Sequence, residues 1–324
     1  MTAKLAYPTT LIDFHRMFPD EEACEEYLFA LRWPDGFVCP TAGCKAGPRD
    51  FYIIRRESRV EHARVEIGQP DDYEARTKGR RVVKCKVCRE QVYLTAGTIM
   101  HKSHTPILKW FYGAFLVTTL TPGLSAVQFG AQVGLARHET AFQILHKIRS
   151  AMVAPDRGLL EGDVEVDESY IGGVQHGGKR GRSLEGRALV VGAVEVRLKA
   201  EDGLRYAGRL RLRTVKSAAA KHLVPFVTNG VAKGTVVRTD GWESYNDLFD
   251  LGYKHRPVVE GAPANAHKVL PLIHREFSNL KTWLTGTHHG VGRKHLPHYL
   301  NEFVFRHNRR QTPMAAFQTL LGLT

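Results

Sequence analysis

Apolar and polar positions alternate with a helical period through the first half of the chain. Residues 11–33 read as one short amphipathic helix, with Pro19, Asp20 and Glu21 as its start signal. The most apolar stretch is "LKWFYGAFLVTTL" at 108–120. It is short and Lys109 interrupts it, so 105–120 reads as a buried helix and not a membrane span. "GLSAVQFGAQVGLARHETAFQILHKIRSAM" (123–152) gives helix, break, helix. Gly134 marks the break, and Phe142, Leu145 and Ile148 share one face of the second helix. The pattern fits a helix-turn-helix, which would offer Arg137, His138 and Gln143 to DNA, and equally a plain helical hairpin.

After Pro155 the period changes to two. "VEVDESYI" (164–171), "ALVVGAVEV" (188–196) and "LRYAGRLRLRTV" (204–215) read as successive strands. The basic, glycine-rich loop "HGGKRGRSLEGR" (176–187) joins the first two. Lys179 and Arg180 in it would clamp a phosphate backbone, unless the loop is simply a flexible hairpin. A helix near 217–229, a strand "TVVRTD" at 235–240 and helices from 272 onward follow. Three strands, a helix, a further strand and a helical tail predict an α/β, ribonuclease-H-like domain.

Charge narrows the choice of partner. The 324 residues suit two or three domains, and 43% hydrophobic content marks a globular chain. The formal net charge of +13 favours a polyanionic partner, most simply nucleic acid. Between Lys254 and Arg310 lie ten Lys/Arg, three Glu and eight of the sixteen histidines, interleaved with Phe277, Trp283, Tyr299, Phe303 and Phe305. That mixture suits a surface lying on phosphates. The N-terminus lacks the apolar core of a signal peptide, and no membrane partner is expected, so the expected location is the cytoplasm, at the bacterial nucleoid.

The cysteines form two close pairs, Cys39/Cys44 in "CPTAGC" and Cys85/Cys88 in "CKVC". Two such knuckles supply four thiolates to one structural zinc ion, and residues 36–95 read as a zinc ribbon ending in "QVYLTAG". The charged run 55–81 looks like an insertion between ribbon strands, and Cys24 sits in a helical pattern as a packed thiol.

Alternation puts Asp163, Glu165 and Asp167 on one face of the first strand of the α/β domain. Asp167 lies near that strand's end, and Asp240 ends "VVRTD" seventy-three residues later. If the strands are neighbours, the two aspartates can share magnesium, with manganese as a substitute, for phosphodiester chemistry. Each aspartate could otherwise cap a strand end or turn.

Several motifs occur together: "FPDEEACEEYLFALRWPDGFVCP", "QVYLTAGTIMHKSHTPILKWFYG", "VEVDESYIGG", "TDGWESY", "FSNLKTWLTGTHHGV" and "HLPHYLNEFVFRHNRR". From about residue 15 to 320 the chain resembles the insertion-sequence transposases of the ISXO-like group (family fifteen ninety-five). The resemblance implies a DDE-type catalytic domain with Asp167 and Asp240 as its first two carboxylates. It also implies binding of double-stranded DNA at transposon ends and target, by a homo-oligomer when two ends are synapsed. The expected layout is an N-terminal helix (1–35), the zinc ribbon with its insertion (36–98), the helix-turn-helix-like region (99–155) and the catalytic domain with basic C-terminal helices (156–324).

The third position departs from an acid. Lys281 matches the lysine of related enzymes, and counting back seven residues reaches His274. Glu276, Asn279 and Glu302 are alternatives, and Glu276 would point about 200° away from His274 on a helix. His274 is otherwise a packed or DNA-facing histidine, and Lys281 a solvated lysine. Glu302, Arg306 and Arg310 stand at helical spacing, suiting an intrahelical pair with some phosphate contact. A degenerate relative that only binds DNA, or a structure-specific nuclease, would carry much of the same pattern.

Overall fold

The computed structural model describes residues 5–56, 80–153, 157–172, 186–258 and 269–322. The chain divides into two units, Met1–Ala151 with Gln311–Thr324, and Met152–Arg310.

The first unit begins with two helices where one was expected over 11–33. They are α1 (Leu11–Met17) and α2 (Glu21–Arg32). The break falls at Phe18–Asp20, where Pro19 offers no N–H and the extended Asp20 caps α2 by accepting from Ala23 N at 2.9 Å. The ribbon sheet follows as β1 (Phe51–Arg56), β2 (Arg80–Cys85) and β3 (Gln91–Tyr93), all antiparallel. The expected strand "QVYLTAG" stops at Tyr93 and continues in turns. Arg55 pairs with Arg81 inside the ladder, so the strands run into both ends of the expected insertion, whose residues 57–79 lie outside the described ones.

Helices α3 (Ile107–Thr119), α4 (Ala126–Gln132) and α5 (His138–Ala151) complete the helix, break, helix pattern, with Gly134 at φ 63° in the turn. A Cβ at Gly113 would come within 3.1 Å of Phe129 and of Ile148, so this glycine lets α3 close on both partners. The C-terminal helix (Pro313–Gly322), expected with the catalytic domain, belongs to this first unit. The reason is aromatic packing. Phe317 is fully buried, with its ring centroid 5.8 Å from Phe111, 5.9 Å from Phe18 and 6.0 Å from Phe14.

The second unit is built on a five-stranded sheet: β4 (Asp163–Ile171), β5 (Ala188–Leu198), β6 (Arg205–Val215), β7 (Val236–Asp240) and β8 (Lys254–Val258), in the order β6-β5-β4-β7-β8. β6, β5 and β4 are antiparallel; β4, β7 and β8 are parallel. This is the ribonuclease-H-like arrangement. β8 was not expected, because "KHRPV" is polar and contains Pro257; the edge position tolerates both.

Helix α6 (Ala220–Gly230) and a 3₁₀ turn (Glu243–Leu248) pack on one face, and α7 (Pro271–His288) and α8 (Leu296–Asn308) on the other. β5 is buried on both faces, hence its continuous apolar run. Gly192 on β5 lies close under α7: a Cβ there would stand 2.8 Å from Ile273 Cδ1 and 3.0 Å from Phe277 Cζ. Gly192 pairs across the ladder with Asp167. A tight contact of helix with sheet thus falls in the row that carries Asp167.

Candidate active site

The three alternating acids of β4 face α7 and have three different environments. Asp163 accepts from Arg238 on β7, Nε at 2.8 Å and Nη2 at 2.7 Å. Glu165 is fully buried and caps α7, accepting from Leu272 N at 2.8 Å and Ile273 N at 3.0 Å. Burial pushes its pKa upward against the pull of those two N–H donors. Asp167 faces His274, whose Nε2 lies 3.7 Å from Asp167 Oδ2. One carboxylate fixes the start of the helix, and the next meets the side chain which that helix presents.

β7 runs parallel to β4 and ends at Asp240. The ladder's last partners are Glu165 and Arg238, two residues before Asp167 on one strand and Asp240 on the other. Arg238 faces Asp163, so Asp240, two residues on, shares that face. Asp240 Oδ1 accepts from Trp242 N at 3.2 Å, which folds the following turn back on the strand end. On the opposite face of β4, Glu168 Oε2 accepts from the Tyr245 hydroxyl at 2.7 Å, and Tyr245 is fully buried. This bond ties the strand of Asp167 to the turn that follows Asp240. Burial raises the pKa of Glu168, the Tyr245 hydroxyl opposes that rise, and the charge of Asp240 adds to it. Burial, with these carboxylates nearby, also pushes the Tyr245 phenol far up.

Two turns beyond His274 on α7, Lys281 Nζ donates to Ser169 Oγ at 2.8 Å. Ser169 follows Asp167 on the same face of β4. His274 and Lys281 therefore flank Asp167 and Ser169, and Asp167 stands at the middle of β4, not near its end as the sequence suggests, because the strand runs on to Ile171.

In the first unit, the cysteine sulfurs lie within 4.8 Å of one another, with Cys39–Cys88 at 3.5 Å and Cys44–Cys85 at 3.7 Å. A tetrahedral zinc ion with sulfurs at about 2.3 Å sets neighbouring sulfurs about 3.8 Å apart, so the four thiols fit zinc. Cys85 ends β2, and Arg89 at φ 65° helps turn the chain towards β3. Cys24 is buried away from this group among α2 packing residues. Among the described residues no other group of His, Cys, Asp and Glu is gathered as tightly, and the aspartates with His274 form no such closed set.

Residues 159–308 match the ISXO2-like transposase domain, and residues 19–91 match the transposase zinc-ribbon domain. The chain thus carries an ISXO2-like transposase domain behind a transposase zinc ribbon. A Halobacterium salinarum protein, described as an uncharacterized protein in transposable element ISH50, is 24% identical over 317 residues, covering 94% of this chain and 97% of the relative.

Within this transposase fold, the other residues singled out from the sequence take varied places. Glu276 is buried in an ion pair with His307, Oε2 to Nδ1 at 3.1 Å, on the core side of α7. Asn279 is exposed. Glu302 is fully buried, with Arg306 Nη1 at 3.5 Å. The Arg306 side chain is itself only 16% exposed and lies over the Trp283 ring at 5.9 Å. Arg310 donates to the carbonyls of His307 and Ala207. Both arginines are thus engaged within the fold. Arg137 is exposed at the start of α5, as are His138 and Gln143. Lys179 and Arg180 lie outside the described residues.

Four features escaped the sequence reading: the Glu165 cap, the Asp163–Arg238 pair, the Ser169 seat of Lys281 and the Glu168–Tyr245 bond. Tyr245 alone had a signal, as the last residue of "TDGWESY". No helix among the described residues is long and apolar enough to cross a membrane.

Proposed function

We propose that this chain is the transposase of an insertion sequence, which binds terminal inverted repeats and catalyses magnesium-dependent DNA strand cleavage and strand transfer. The observation that supports the reading is the meeting of Asp167 with His274 on α7, on the strand that pairs in parallel with the strand ending at Asp240. Oxygen donors on neighbouring strands suit hard divalent cations. Magnesium bound there would polarise the phosphodiester and activate the attacking hydroxyl.

The chain's own groups have separable tasks. Asp167 and Asp240 hold the cation charge, while His274 takes the third position as a neutral ligand or orienting group. Lys281, held against Ser169, offers its ammonium to a substrate phosphate. Glu165 and Tyr245 set the positions of α7 and of the Asp240 turn. Glu276 and Glu302 serve the core through their buried pairs with His307 and Arg306. The zinc ribbon and the α4–α5 hairpin, with Arg137 exposed, supply DNA-binding surface. Two ends must be held together for transfer, which calls for a homo-oligomer on DNA.

A non-catalytic DNA-binding relative is the second reading, and the imidazole in place of a third carboxylate favours it. Strand cleavage and joining on duplexes carrying the element's own ends separates the two. Activity that needs magnesium and is lost in Asp240→Asn, with DNA binding retained, supports the transposase. Wild-type protein inert with both magnesium and manganese supports the binding-only relative.

A further inference from the structure

The outer edge of β6 carries a cleft with three arginines and no acid. Arg157, Arg211 and Arg213 line a space of about 370 Å³ between α6 and α8, together with the polar groups of Thr214, Asn229 and Asn301. Arg211 Nη2 donates to the carbonyls of Arg157 and Gly158, both at 2.9 Å, which fixes its guanidinium on the wall. Neighbouring Arg197 and Arg209 are neutralised by the buried Glu195 at 2.8 and 2.6 Å. Among the described residues, none of Arg157, Arg211 and Arg213 has a carboxylate at ion-pair distance. Burial and the charges of Arg157 and Arg209 lower the pKa of the half-buried Arg211, against the pull of Glu195. Clustered positive charge that is partly desolvated and has no carboxylate in contact is relieved by an anion. Guanidinium groups with amides beside them match the oxygens of a phosphate.

The place of the cleft says which phosphate. Asp167 pairs with Gly192, and Gly192 pairs with Leu212, the residue between Arg211 and Arg213. The cleft therefore opens at the sheet edge two strands from Asp167, or about 10 Å across the sheet, with Arg211 and Arg213 turned to the α6 face and Asp167 to the α7 face. That is too far for a phosphate held there to be the one reacting at Asp167. We propose that this cleft is a second phosphate subsite, which takes a backbone phosphate of duplex DNA away from the reacting bond. The proposal rests on the DNA-processing reading above.

The test uses the full chain with its zinc, a labelled duplex and fluorescence anisotropy across a salt series, without magnesium. Arg213→Gln removes one charge, and Asn229→Asp adds a carboxylate to the cleft; both leave the Arg211 bonds to the Arg157 and Gly158 carbonyls in place. Arg213→Gln is expected to make the slope of log affinity against log salt shallower by about 0.9, one phosphate contact. Asn229→Asp is expected to weaken binding about tenfold at fixed salt, the scale of one charge-assisted contact. Wild-type slope and affinity in both variants would overturn the subsite. Because binding is read without magnesium, a wild-type protein that binds but does not cleave defeats the catalytic reading and leaves this result standing.

Discussion

His274 Nε2 stands 3.7 Å from Asp167 Oδ2, across the junction between the first strand of the α/β unit and the helix packed on it. Glu276, only two residues further along that helix, is turned into the core against His307. The two side chains nearest in sequence to the expected third acid thus have opposite surroundings, and their substitutions should have opposite signatures. His274→Ala is expected to lower strand-cleavage rate by about 10²-fold or more with little change in melting temperature, on the scale of a lost group that acts on the reaction. Glu276→Ala is expected to lower stability by about 1–3 kcal/mol, since it removes the partner of His307 Nδ1 and leaves that ring only its Nε2 bond to the Gly208 carbonyl. Chemical denaturation beside single-turnover cleavage checks both. A stable, inactive Glu276→Ala protein would reverse the assignment.

The zinc ribbon makes a separate prediction. The purified chain should carry one zinc ion, and Cys85→Ser should lose it, together with the order of β1 to β3. Metal analysis and limited proteolysis of residues 19–101 check this. Cys24→Ala should keep full zinc content, because Cys24 packs among α2 residues and stands outside the four-sulfur group. A metal-free chain with a protected ribbon would contradict the site.

Gly192 is expected to accept no side chain without moving α7. A Cβ would meet Ile273 at 2.8 Å, Leu212 at 2.9 Å and Phe277 at 3.0 Å. Gly192→Ala should cost about 1–3 kcal/mol by overpacking. It should also slow cleavage, since the displaced helix carries His274. Unchanged stability and rate would mean that the neighbours yield freely and that α7 position does not matter.

Glu165 gives a pH test. Burial holds its pKa above the usual 4.5, so the folded chain binds this proton more readily than the unfolded chain does. The sign follows from proton linkage: stability contributed by this group falls as pH rises from about 4.5 through the folded value, and is level above it. Glu165→Gln keeps an oxygen to accept from Leu272 N and Ile273 N and removes the titration. The stability of wild type relative to the variant should therefore decline over that interval. A difference that is flat, or that grows with pH, would contradict the buried-carboxyl account.

Much of this was legible in the sequence because local pattern controls it. The period-two runs fixed β4, β5 and β6 to within a residue or two, and the two cysteine knuckles specified their own geometry. Asp240 could be named because it ends an alternating run beside a turn signal, and Asp167 because it stands in the alternating run of a second motif of the same family resemblance. What stayed hidden depends on contacts distant in sequence. Nothing around Glu165 announces that it caps a helix more than a hundred residues later, and it reads as one of three equivalent acids. Residues 11–33 looked continuous because the apolar spacing survives the Pro19 break. The C-terminal helix was grouped with its sequence neighbours, although Phe317 packs with Phe14, Phe18 and Phe111 near the other end of the chain. The helical spacing gave the intrahelical pair of Glu302 with Arg306, whereas the bonds of the exposed Arg310 to the His307 and Ala207 carbonyls depend on contacts the spacing does not show.

The most direct test of the central claim is single-turnover cleavage of duplexes carrying the element's ends, comparing wild type with Asp167→Asn in magnesium. The account predicts magnesium-dependent 3′-hydroxyl release by wild type and a loss of at least about 10³-fold in Asp167→Asn, the scale of a group holding the reacting charge. DNA affinity and zinc content should be unchanged. Cleavage by Asp167→Asn at the wild-type rate would contradict it.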